Sequence, residues 1–109
     1  AYGLPTEARR CNVATVRIIY PDGEGEDEVI SYDKNPEYSE MKDWIENGWM
    51  EHIRVIWEGR ECDAIIDEEG KIKGLKMNAM ATAAYIRMYP DINDVIVGPC
   101  AICTDFELE

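Results

Sequence analysis

The stretch WMEHIRVIWEGRECDAIIDEEG, residues 49–70, constrains the fold more than any other part of the chain. Across 49–58, Glu51, Ile53, Val55 and Trp57 fall on one side and Met50, His52, Arg54 and Ile56 on the other. Strict alternation is the signature of an extended strand, whose successive side chains point to opposite faces. Glu58-Gly59 reads as a tight turn, and RECDAIID returns as a second strand. So short a connection permits only antiparallel pairing.

The remaining elements fit around this hairpin. CNVATVRIIY, 11–20, is rich in Val, Ile and Thr and reads as a strand. PDGEGEDE forms a loop through its Pro, Asp and two Gly, and EVISYD, 28–33, is the returning strand of a hairpin with an acidic tip. NPEYSEMKDWIENG reads as a helix. Asn35 is its expected cap, Pro36 its first residue, and Gly48 its C-terminal stop. Tyr38, Met41 and Ile45 would form its apolar face. Trp44, Trp49 and Trp57 cluster around the following junction, and one of them is expected to be partly exposed.

After the central hairpin, DEEGK suggests a short turn with Gly70 in the left-handed region, and KIKGL a brief extended piece. Asn78 is placed to cap a second helix. Met77, Met80, Ala81, Ala84, Tyr85 and Met88 recur at helical spacing, and Pro90 ends the pattern. DVIVGPCAICTD, 94–105, is a largely apolar last strand, expected to be central or covered. These elements make an α+β domain: a mainly antiparallel sheet of about five strands with two helices packed on it. Residues 1–10 are expected to be a flexible or pairing arm, 11–107 the single domain, and 108–109 a cloning scar.

Composition narrows the function. The chain has 109 residues and a formal net charge of −12. From Asp22 to Glu69 the basic residues are only Lys34, Lys42, Arg54 and Arg60, whereas Lys71 to Arg87 contains no acid. Direct nucleic-acid binding is disfavoured, because it requires clustered Lys and Arg. An anionic membrane is disfavoured for the same reason. No apolar run approaches the ~20 residues of a membrane span, and no secretory signal is visible. A cytoplasmic location follows as the expectation, with Cys11, Cys62, Cys100 and Cys103 as free thiols.

Tests for specific chemistry return little. Counted from Asp67, a calcium loop would need an oxygen ligand where Lys71 stands, Gly where Ile72 stands and a bidentate Glu where Asn78 stands. Gly70 and Gly74 are too close for a phosphate loop, and no Gly-Lys-Ser/Thr follows. Cys100 and Cys103 are three apart on a strand and so point to opposite faces, unlike a chelating pair. His52 stands alone, with no glycine elbow around any serine. No catalytic residue, metal or cofactor is therefore expected, and the chain reads as a non-enzyme. Two binding candidates remain. The acidic tip Glu24, Glu26, Asp27 and Glu28, together with Trp49, would meet a basic site on another protein. The acid-free region with Lys71, Lys73, Lys76, Asn78 and Arg87 would hold a nucleotide or other anion near a helix start. Assembly into a homo-oligomer through strand edges is compatible with either.

The phrases DEEGKIKGLKMN and DVIVGPCAI, with the paired strands before them, resemble the DUF3846 family. Its members show a Glu-Gly-Lys-hydrophobic-x-Gly-Leu-Pro-x-Asn pattern, matched here by Glu69, Gly70, Lys71, Ile72, Gly74, Leu75 and Asn78. Lys76 stands where proline is usual and Ala79 where a basic residue is frequent. The likeness spans residues 12 to 104 and is firmest in the second half. It implies a domain of phages, prophages and mobile elements, with no activity attached. On that footing the expected role is inhibition of a bacterial host protein, such as a defence factor or a nucleic-acid-handling protein. Sequestering a nucleotide is the alternative.

Overall fold

A computed structural model describes residues 14–106. The expected arm at 1–10, Cys11 and the terminal 108–109 lie outside these residues. The elements in chain order are β1 (Ala14–Ile19), β2 (Glu28–Tyr32), α1 (Tyr38–Trp44), β3 (Met50–Trp57), β4 (Arg60–Asp67), α2 (Ala79–Met88) and β5 (Cys100–Cys103). The strands form one five-stranded sheet in the order β2-β1-β5-β4-β3, and every neighbouring pair is antiparallel. The α+β architecture read from the sequence is the one found.

The β3–β4 hairpin closes on the two-residue turn, where Glu58 and Gly59 both have positive φ, 52° and 81°. A mirror-image turn requires this, since its twist matches that of the flanking strands. The turn places Trp57 opposite Arg60 and carries the pairing without interruption to Met50 opposite Asp67. The last strand is shorter than expected, Cys100–Cys103, but it is central and wholly buried. Residues 94–99 lie outside it, apart from one bridge between Met77 and Val97.

Each face of the sheet carries one apolar layer. On the first, α2 places Ala81 and Ala84 against Ile19, Val55, Ala64, Ile66, Cys100 and Ile102. On the second, α1 delivers Trp44 and Ile45 onto Val16, Ile18, Ile65 and Ala101. The small residues of α2 let it approach the strands closely. Met80 of α2 and Met77, which lies ahead of the Asn78 cap and outside the helix, were expected on the apolar face and are about half exposed instead.

The first helix departs from its sequence signals. Its N-cap is Glu37, not Asn35, and the Glu37 N–H donates to the Glu40 carboxylate at 2.8 Å. A Glu three residues into the helix satisfies an otherwise orphaned amide, so the helix starts after Pro36. Its buried side is Met41, Trp44 and Ile45, while Tyr38 faces out at 57% exposure. The left-handed residues that end it are Glu46 and Asn47 rather than Gly48. Gly48 serves a different need: a Cβ there would overlap the Asp67 carboxylate.

Residues 68–74 are also not a hairpin turn plus an extended piece. They coil through successive turns, with Lys73 N–H bonded to Glu69 O, Gly74 N–H to Lys71 O and Leu75 N–H to Gly70 O. Gly74, not Gly70, takes positive φ, 74°. Gly70 is instead pressed against Val97, whose Cγ2 would lie 2.8 Å from an added Cβ. Asn78 caps α2 as expected, accepting from Ala81 N–H at 3.2 Å.

Candidate functional site

The antiparallel order brings four connections to one end of the sheet: the β1–β2 loop, the α1–β3 turn, the 68–77 coil and the segment before β5. This end carries most of the residues singled out above. The acidic tip is a folded turn held to the end of β1. Glu24 N–H bonds Pro21 O, Pro21 is fully buried, and Gly25 packs against the Tyr20 ring. Tyr20 donates to Glu28 at 2.7 Å. Its hydroxyl is pushed up to about 12, first by burial, then by the bond to Glu28 and the charges of Glu28 and Glu46. Glu46 of the α1–β3 turn thus adds its charge at the same hydroxyl.

Residues 22–29 are all exposed. Arg17 approaches Asp27 at 3.6 Å, and Glu28 has its bond from Tyr20. Among the described residues no lysine or arginine pairs with Asp22, Glu24 or Glu26 through its carboxylate. Three residues after Glu46, Trp49 is 58% exposed, while Trp44 and Trp57 are buried. The Lys42 ammonium lies 5.2 Å from the Trp49 ring centre and 5.9 Å from that of Tyr38. A charge over the ring face favours this placement of the indole only modestly, since the site is exposed.

Asp67 anchors this end. Its buried carboxylate accepts from Lys73 Nζ at 2.6 Å, Glu69 N–H at 2.9 Å and Trp49 N–H at 3.3 Å. Burial alone would raise the Asp67 carboxyl, but the Lys73 bond, the two backbone donors and the Lys73 charge together hold it below the usual carboxylate range. The turn bearing Trp49 and the coil bearing the lysines are thus tied to one group.

The five residues of the expected anion site do not converge. Lys71 pairs with Asp94, Lys73 with Asp67, and Lys76 bonds the Asp22 carbonyl at 3.2 Å. Asn78 is fully buried; beyond its cap it donates to Ile19 O at 2.8 Å and Gly98 O at 2.9 Å. Arg87 is exposed in the last turn of α2. Lys71 lines a cavity of about 90 Å³ that contains none of the other four.

A second polar group lies part-way along the β3–β4 hairpin, where sequence reading singled out only His52. Asp63, 2% exposed, lies 2.7 Å from His52 Nε2 and accepts from Arg54 Nη1 at 2.7 Å. Arg54 Nε also donates to Glu61 at 3.2 Å. The bond to Asp63 is the main reason the guanidinium is held even more firmly charged than usual, against the opposing effect of burial. The signal for this group was present in the turn: pairing Trp57 with Arg60 sets Arg54 opposite Asp63. Cys103 lines a cavity of about 270 Å³ beside Asp63. Burial pushes its thiol up to about 12, the reverse of what a nucleophilic thiol needs. Cys62, Cys100 and Cys103 are free. Among the described residues no three His, Cys, Asp or Glu are placed to share a metal ion, and no helix is long and apolar enough to cross a membrane.

The DUF3846 profile, described as a domain of unknown function, matches residues 14–107. The chain belongs to the DUF3846 family. That match takes in every described element, both the anchored acidic end and the His52–Asp63 group. No curated protein and no solved structure matches the chain. Membership in DUF3846 therefore carries no activity with it.

Proposed function

We propose that this domain is a non-enzymatic binding protein whose acidic end occupies a basic site on another protein. One observation carries the reading: Glu24, Glu26 and Asp27 are displayed on a folded loop at the same end as an exposed Trp49. A folded acidic surface gains electrostatic complementarity at a smaller ordering cost than a loose one, and an exposed aromatic supplies an anchor that binding would desolvate. A partner from a bacterial host, a defence factor or a nucleic-acid-handling protein met in the cytoplasm, follows from the resemblance to mobile-element proteins. Mimicry of DNA phosphates is one form this could take.

The anion-site alternative is less well supported, because Lys71, Lys73 and Lys76 would first have to leave Asp94, Asp67 and the Asp22 carbonyl. Affinity capture from bacterial lysate compares the native chain with Glu24→Gln/Glu26→Gln/Asp27→Asn and with Trp49→Ala, at low and high salt. The expected result is one stoichiometric partner, lost at high salt and depleted by both variants. A partner held equally by the neutralised loop would overturn the reading.

A further inference from the structure

β3 is an edge strand, paired only with β4 among the described residues. The two-residue turn fixes which of its backbone groups are used. Trp57 and Arg60 exchange the closing hydrogen bonds, so Val55, Ile53 and Glu51 also turn their N–H and C=O toward β4. Ile56, Arg54, His52 and Met50 turn theirs outward. Folded proteins guard such edges with lysine, proline, bulges or short length. β3 has neither Lys nor Pro, its register has no bulge, and it runs for eight residues; β2, the other edge, has five. Its two basic side chains do not guard it either, since His52 and Arg54 are both folded back onto Asp63.

The edge opens into space. A cavity of about 250 Å³ is lined by the consecutive residues 51–54, which puts the strand's own backbone in its wall. The other wall is Tyr85, Tyr89 and Ile92, with the two tyrosine rings edge to face at 5.3 Å. The neighbouring cavity of about 90 Å³ adds Glu68 and shares Glu51. The local cations are already committed, Arg54 to Asp63 and Glu61, Lys71 to Asp94. Among the described residues neither Glu51 nor Glu68 has a basic side-chain partner. What remains is negative charge beside two tyrosine faces, the setting that suits a lysine or arginine side chain.

We infer that the outer edge of β3 binds an extended, basic peptide segment, which adds to the sheet as a further strand and lays a Lys or Arg side chain in the groove beneath α2. The inference rests on the proposed function for the sign of the partner's charge, and adds that part of the partner is an extended segment rather than a folded basic surface. Main-chain bonds to the outward groups of His52 and Arg54 would supply affinity, and the groove would select alternate side chains.

The test titrates the isotope-labelled full chain with an eight-residue alternating Lys–Val peptide, followed by amide resonances and hydrogen exchange. Two further peptides carry N-methyl groups, one on the valine and one on the lysine nitrogens. The expected result is saturable shifts and new exchange protection at the His52 and Arg54 amides. One methylated peptide should bind about tenfold or more weaker, the loss expected from one or two missing hydrogen bonds, while the other is little changed. A Glu–Val peptide should not bind. Equal binding of both methylated peptides would overturn strand addition. So would a free chain that sediments as a dimer with His52 and Arg54 already protected, because a second copy would then fill the edge. Shifts confined to residues 22–28 and the Trp49 indole would sink the edge site and leave the acidic-end reading intact. Edge shifts that persist in Glu24→Gln/Glu26→Gln/Asp27→Asn, with lysate capture unchanged by that variant, would do the opposite. Absence of any shift would overturn the inference.

Discussion

The Asp67 carboxylate fills the space that a side chain on residue 48 would need, so Gly48 and Asp67 are fixed as a pair. Gly48→Ala should therefore destabilise the domain by about 2–4 kcal/mol, through overpacking and displacement of a buried, hydrogen-bonded acid. Urea denaturation measures it. In an Asp67→Ala background the added cost of Gly48→Ala should be much smaller; strict additivity of the two changes would show that the overlap is relieved elsewhere.

Acid should expose the Asp67 anchor. Its folded-state pKa lies below the unfolded value of about 3.9, so its stabilisation is present above that pH and is lost as pH falls through the folded value. Asp67→Asn should be less stable than the native chain at neutral pH, with the gap closing on acidification. Urea midpoints from neutral pH down to strong acid read this directly, and a gap independent of pH would contradict the anchor's charged state.

Asn78 should tolerate no near-isostere. Asn78→Asp keeps an oxygen to cap α2 but cannot donate to the Ile19 and Gly98 carbonyls. Both Asn78→Asp and Asn78→Ala should lose on the order of 2–4 kcal/mol, since buried carbonyls are left unpaired. Thermal melts of the two variants would show it; an Asp variant close to native stability would remove the donor role.

Of the three tryptophans, only Trp49 should be open to acrylamide. Its replacement by Phe should abolish most of the quenchable emission and shift the spectrum to the blue, while stability changes by about 0.5 kcal/mol or less. Quenching that survives in Trp49→Phe would place solvent against Trp44 or Trp57.

The central thiols should be inert in the folded chain. Burial pushes Cys100 and Cys103 up to about 12, so near pH 8 almost no thiolate is present. Peptide mass mapping after alkylation should find both unmodified until denaturant is added. Modification at the rate of a free thiol would mean that β5 opens readily.

How far the fold could be read depends on where each constraint lives. Glu58-Gly59 and the alternation on either side of it act locally, so the hairpin and its register were legible. The apolar run around Cys100 likewise announced a central strand. Gly48 and Gly70 were misread as conformational stops because their real constraint comes from Asp67 and Val97, far away in sequence. The start of α1 was misplaced because two signals compete within three residues, and the Glu37–Glu40 bond prevails over Asn35-Pro36. Asp63 drew no notice, and Asp67 entered only as the first position of a failed calcium loop, since one more acid says little in a chain this acidic. Their burial follows from β4 lying inside the sheet. The lysines of 71–76 looked like a cluster because proximity in sequence hides the three different directions their coil imposes.

The place of β5 has a consequence for how the chain reaches this state. β1 with β2 and β3 with β4 are hairpins that can zip as soon as they are made, but the strand that welds them pairs Val16 with Cys103, almost the whole described length apart. Closing so long a loop is slow compared with forming either hairpin. Until residues 100–103 arrive, a nascent chain holds two separate ribbons with β1 and β4 both unsatisfied along one side. The interval before that last insertion is when the chain is most exposed to sticking to its neighbours.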